Sequence, residues 1–171
     1  MKEMGEAKEK KEMNILGVEE LIGEVHEKEL QVIAFKLSQE LVSVPIEQVV
    51  EITSNRDITP VPKAPSFVIG VMNLRGKIVP VVNLKEHLGI PFEVSEEVYR
   101  RNKIVILDTP KGEVGVIVDE IVGSIKFPEE DILPEPIGTI GIDVKFITGV
   151  VQLDGELLII LNIDSIFNKE E

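Results

Sequence analysis

The sequence predicts an all-β protein made of two small barrels packed side by side. About ten short runs rich in β-branched and aliphatic residues follow Glu29, and that many short strands in about 140 residues favour barrels over one open sheet. Turn signals separate the runs, among them Arg75-Gly76, Pro110-Lys111-Gly112 and Asp154-Gly155. The run Leu157-Leu-Ile-Ile-Leu161 does not alternate, so both of its faces are expected to be buried, near a seam between the barrels.

Residues 1–28 stand apart as a charged extension rich in Lys and Glu. Ile15, Val18, Leu21, Ile22 and Val25 recur at helical steps, which predicts a weak amphipathic helix over Asn14–Lys28. Gly17 and Gly23 each cost about 1 kcal/mol of helix propensity, so a floppy extension fits as well. Residues 29–171 form the β domain. Gln31–Leu37 and Leu41–Val44 are expected strands around a Ser38-Gln39-Glu40 turn. Pro45–Ile52 reads as a short helix or bend carrying Val49, Val50 and Glu51. Pro60, Pro62 and Pro65 each remove a ladder donor, so Asn55–Ser66 is expected to connect rather than pair.

Phe67–Leu84 then reads as a hairpin in which Gly76 takes a positive φ and Arg75 sits at the tip. Lys85–Leu88 is expected to make one helical turn, ended by Gly89 and Pro91. Strands are predicted over Lys103–Thr109 and Glu113–Val122, with Ser124–Phe127 continuing the sheet to Pro128. Glu129–Val144, with Pro134, Pro136, Gly138 and Gly141, is expected to be a long loop. Lys145–Leu153 and Glu156–Ile163 pair across Asp154-Gly155, and Asp164 is placed to cap a last helical turn.

Composition narrows the function. A net charge of −13 repels phosphate backbones and anionic lipid, and aromatic residues at 4% offer little stacking surface for single-stranded nucleic acid. Partners are therefore expected to be proteins, or small molecules without a large negative charge. The chain has no cysteine, which removes disulfides and thiol chemistry, and its charged first thirty residues carry no apolar leader, so a cytoplasmic location is expected.

Catalytic constellations are sparse. No serine occupies a G-x-S-x-G elbow, and no phosphate-binding glycine signature is present. His26 and His87 have no nucleophile joined to them by a local motif. Asp108, Asp119 and Asp164 lie at strand ends, where Asp commonly turns or caps, and Glu129-Glu130-Asp131 lacks the spaced ligands of a calcium loop. The expectation is a protein with no enzymatic activity, no cofactor and no metal.

The hairpin Ile69-Gly-Val-Met-Asn-Leu-Arg-Gly-Lys-Ile-Val-Pro-Val-Val-Asn-Leu84 closely resembles the signature of the CheW-like family, the coupling proteins of bacterial chemotaxis. Val49-Val-Glu-Ile52, Ile58-Thr-Pro-Val-Pro62, Glu113-Val-Gly-Val-Ile-Val-Asp119, Phe146-Ile-Thr-Gly-Val-Val and Leu158-Ile-Ile-Leu-Asn-Ile163 match further stretches in the same order. The resemblance implies two intertwined five-stranded barrels related to the OB type, with short helices. It also implies a non-catalytic adaptor that couples the cytoplasmic tip of chemoreceptors to the histidine kinase CheA in signalling arrays. A ligand-binding regulatory module of a paralogous sensory pathway is the alternative.

Carried over by motif, the resemblance puts Val49, Glu51, Gly70 and Arg75 on the receptor-binding surface. It puts Ile104, Gly115, Asp119 and Ile121 on the kinase-binding surface. Two roles stay open for Arg75: a charge-assisted pair with a receptor carboxylate, or an internal pair with Glu51. Gly70 either lets a receptor helix lie close or marks a bulge. Asn83 stands where many family members carry Asp, at a position suited to a local cap.

Overall fold

A computed structural model describes residues 28–54, 57–92, 102–134 and 141–168. The expected helix over Asn14–Lys28, apart from its last residue, lies outside the described residues, as does His26. The described residues form ten strands: β1 (Glu29–Leu37), β2 (Glu40–Pro45), β3 (Val49–Ser54), β4 (Val68–Leu74), β5 (Lys77–Val82), β6 (Lys103–Thr109), β7 (Gly112–Val118), β8 (Glu120–Pro128), β9 (Ile147–Leu153) and β10 (Glu156–Leu161). Among the described residues, two short α-helices accompany them, α1 (Leu84–Leu88) and α2 (Ile163–Ile166).

The strands make two five-stranded sheets, sheet 1 in the order β8-β1-β2-β10-β9 and sheet 2 in the order β3-β6-β7-β5-β4. Neither sheet closes into a barrel, which corrects the expectation of two OB-like barrels: β8 does not pair with β9, nor β3 with β4. Single extended residues cover part of the free edges instead. Thr59 exchanges two backbone hydrogen bonds of 2.8 Å with Val71 on β4, and Leu133 exchanges two, of 2.8 and 3.0 Å, with Val150 on β9. Both backbone groups of Val71 are spent outward on Thr59, so Pro80, opposite Val71, deprives β4 of no ladder bond.

The segment Pro45–Ile52 departs from its expected helix or bend. Only Ile46–Gln48 coils, as a 3-10 turn, and Val49, Val50 and Glu51 belong to β3. β-Branched side chains favour the pleated state once a neighbour such as β6 is there to pack on. The expected strand Glu113–Val122 breaks at Asp119, where β7 ends and β8 begins. At the C-terminal end Asn162, not Asp164, caps α2: its Oδ1 accepts from Ser165 N at 3.1 Å, while Asp164 Oδ1 accepts from Gln48 Nε2. Asn83 caps α1, accepting from Lys85 N at 3.1 Å and Glu86 N at 3.4 Å, so the amide serves the cap.

The chain divides into two compact units, one of Met1–Leu30 with Lys126–Ile132 and one of Gln31–Ile125 with Leu133–Glu171. Within the described part of the first, Glu129 N donates to Lys28 O at 2.9 Å. The described residues of the second include two cores. Phe35, Val42, Val82, Val105, Leu107, Val116, Ile159 and Leu161, from both sheets, share the larger one. Met72, Leu74, Val79, Val81, Ile104, Ile106 and Ile117 fill the smaller, against one face of sheet 2. Alternate residues of β6 thus enter different cores, and full burial of each such side chain contributes about 1.5–3 kcal/mol. The doubly buried run on β10 is present as expected, with Leu158 to Leu161 all buried, and β6 and β7 share that property.

Candidate partner-binding site

Sheet 2 presents the Arg75 hairpin. Leu74 pairs with Lys77, leaving Arg75 and Gly76 as a two-residue loop with φ of 53° and 86°. Positive φ at both central residues matches the right-handed twist of the strands, as in a type I′ turn. Gly76 takes this conformation freely, whereas Arg75 does so at a steric cost of about 1 kcal/mol. Asn73 Oδ1 accepts from Gly76 N at 2.9 Å and braces the loop. The tip is therefore held rigidly, and its guanidinium is displayed from a fixed base.

Arg75 reaches across to β3, where its Nη1 lies 2.9 Å from Glu51 Oε1. The Arg75 side chain remains 76% exposed while that of Glu51 is only 18% exposed. The contact is one of charge rather than an aligned hydrogen bond, because Glu51 Oε1 is shut off from solvent yet has no hydrogen-bond donor. One edge of the guanidinium is thus committed inside the chain, and the rest faces outward. Val49 opens β3, half-buried against the larger core. Val50 and Ile52, on the opposite face of the same strand, are 44% and 40% exposed. The sequence places Val50 on a short helix or bend and gives neither apolar side chain a surface role. Read with period two, Val50 and Ile52 fall on one face.

Gly70 is buried and faces the chain itself. A Cβ there would sit 2.3 Å from Thr59 O and 2.8 Å from Ile58 Cγ2. The backbone that comes close within the chain is that of the Thr59 bridge, and a register shift between Val68 and Gly70 marks a bulge at the same place. Glycine here lets the 57–65 segment dock on β4.

The kinase-side residues are not gathered on one surface. Ile104 is fully buried in the smaller core, and a Cβ on buried Gly115 would lie 3.0 Å from Ile104 Cγ2. Both face inward and pack against each other in the smaller core. Ile121 on β8 is half-buried against the larger core. Asp119 is the centre of a polar cluster. Its carboxylate accepts from Lys85 Nζ at 2.9 and 2.8 Å, from Ser38 N at 2.6 Å and from Asn102 Nδ2 at 3.5 Å. Its own N–H donates to Lys36 O at 3.0 Å. The Lys85 side chain is 10% exposed and that of Asp119 26%. The cluster ties the β1–β2 turn, where Ser38 has a φ of 58°, to α1 and the β7–β8 junction.

His87 is more embedded than an isolated surface histidine. Its Nε2 lies 2.9 Å from Ile166 O, and its ring packs edge-on to Phe67 and stacks on Phe167, at centroid distances of 4.7 and 5.9 Å. This contact joins α1 to α2. Among the described residues, no three His, Asp or Glu side chains cluster as metal ligands, and no helix is long and apolar enough to cross a membrane.

Comparison with known proteins gives a consistent picture. The family model described as CheW-like domain matches residues 31–171. Chemotaxis protein CheW of Thermotoga maritima is 36% identical over 143 residues, which is 83% of this chain and 90% of the relative. Chemotaxis protein CheW of Treponema pallidum is 34% identical over 149 residues, 86% of this chain and 87% of the relative. The crystal structure of scaffolding protein TtCheW from Thermoanaerobacter tengcongensis superimposes with a TM-score of 0.72 at 32% identity, covering 81% of this chain and 88% of that one.

Proposed function

The chain belongs to the CheW-like domain family, and from that premise we infer how its surface does the coupling. It is a non-catalytic adaptor of bacterial chemotaxis that links chemoreceptors to the histidine kinase CheA. As in the family, it works in the cytoplasm, held at membrane-bound receptor arrays through protein contacts.

We propose that the receptor docks on the face formed by Val49 and Glu51 of β3 and by the Arg75 tip. The half-committed guanidinium carries this reading: Arg75 is anchored to Glu51 at one Nη1 yet remains mostly exposed. It can hold Glu51 and take a receptor carboxylate at the same time, because a guanidinium presents five donors in a planar fork. Exposed Val50 and Ile52 lie on the opposite face of β3 and stay outside this docking face. Gly70 acts indirectly, by seating the Thr59 bridge that flanks the hairpin. On the kinase side, Ile121 remains the candidate for contact, with Asp119 holding the β7–β8 junction through its internal bonds and Ile104 and Gly115 shaping the strands beneath.

The test is binding of a receptor-tip fragment and of the CheA regulatory domain to wild type, Arg75→Ala and the exchange Glu51→Arg with Arg75→Glu. Losing a charge-assisted hydrogen bond costs about 1.5–3 kcal/mol, so Arg75→Ala should weaken receptor binding roughly ten- to a hundredfold and leave kinase binding unchanged. The exchange should not restore receptor binding if Arg75 meets the receptor itself. Full restoration would make the pair purely internal and remove Arg75 from the interface.

A further inference from the structure

A cavity of about 230 Å³ opens beside α1 and α2, walled by Phe67, Val82, Val114 and Phe167, with His87 and Lys111 as its polar members. None of the receptor- or kinase-side residues lines it. We propose that this cavity binds a small apolar carboxylate, an aryl or medium-chain alkyl acid. Its size lies below the roughly 300–1,000 Å³ of drug-sized sites, and fits one ring with a short chain. The walls are apolar and prebuilt: His87 is fixed through Ile166 O at 2.9 Å and stacked on Phe167 at 11° between planes. Little ordering is therefore needed on binding.

Charge selects the headgroup. Lys111 sits exposed in the β6–β7 turn at the rim, and no described carboxylate lies within ion-pair distance of it. In a chain with 31 acidic and 18 basic residues, an ammonium without a counter-charge beside an apolar opening favours a ligand that brings its own carboxylate. A neutral ligand of the same shape would fill the walls and leave the lysine unused. This role is separate from receptor–kinase coupling and does not depend on it.

The full chain titrated with 3-phenylpropionate, followed through the methyl resonances of Val82, Val114 and Ile166, tests the proposal. Saturable shifts confined to those methyls are expected, with a dissociation constant on the order of 0.1–1 mM. Lys111→Ala lies on an exposed turn and should keep the wild-type melting temperature. It should weaken the acid about two- to fivefold while leaving 3-phenylpropanol unaffected. No saturation, shifts scattered over the surface, or equal binding of acid and alcohol to wild type would overturn it. Displacement of the bound acid by the CheA regulatory domain would assign the cavity to a partner side chain and overturn it as well.

Discussion

Two ion pairs of the same chemical kind serve opposite ends in this molecule. Lys85 and Asp119 meet under cover, with two contacts below 3 Å, and backbone and amide donors complete the carboxylate's shell. Arg75 and Glu51 meet through one nitrogen, with the arginine standing in solvent. The first pair has its hydrogen-bonding capacity spent inside the chain and can offer a partner little. The second has most of its donors unspent. An ion pair whose geometry is left incomplete keeps donors for a partner, as the proposed docking face requires, and one that is finished is a structural clasp.

The comparison breaks first at the clasp. Lys85→Ala strands a mostly covered carboxylate and should cost about 2–4 kcal/mol in urea unfolding, since removing one partner of a buried pair is far worse than never having had it. A loss below about 0.5 kcal/mol would show that solvent replaces the lysine. Gly70→Ala comes next. Its methyl would meet Thr59 O at 2.3 Å, which the backbone must relieve, so about 1–3 kcal/mol should be lost and the Thr59 amide should lose protection from hydrogen exchange. Double-mutant cycles then set the pairs side by side. Coupling of about 2 kcal/mol for Lys85 with Asp119, against less than 1 kcal/mol for Arg75 with Glu51, is the expected contrast, and equal couplings would abolish it. Smallest of all is Arg75→Ala in the free protein, which should shift stability by no more than about 0.5 kcal/mol even where the proposed receptor interface loses affinity.

Local signals proved legible where backbone chemistry decides. The two-residue hairpin loops at Arg75-Gly76 and Asp154-Gly155 and the stop at Gly89 formed as residue type demands. Only the φ of 53° at Arg75 was beyond reach, because it is imposed by the twist of β4 and β5 on a residue that does not prefer it. What depends on partners far along the chain stayed hidden. Barrel closure could not be separated from open sheets by strand count, since Thr59 and Leu133 satisfy edges that a closing strand would otherwise take. The clasp joins Ser38, Lys85 and Asp119, residues that share no spacing pattern. Ile104 and Gly115 carry an apolar signature that reads alike whether it faces a core or a partner, and here it faces a core. Family resemblance points to the adaptor, and the fold divides its named positions into displayed and enclosed.

The nesting of the sheets has a consequence in time. Sheet 2 is drawn from one uninterrupted stretch, β3 to β7, whereas sheet 1 needs β1 and β2 from before it and β8 to β10 from after it. As the chain leaves the ribosome, the hairpin-bearing half can assemble first from largely local pairings. The β1–β2 hairpin must meanwhile wait, with Val42 and Ser43 unmatched until Ile159 and Ile160 emerge to lie parallel to them. That delay leaves an apolar strand edge uncovered during synthesis, the kind of surface that strays into aggregation. The sheet that carries the Arg75 hairpin can therefore exist before β10 is made, and β10 is the strand that seals the remainder.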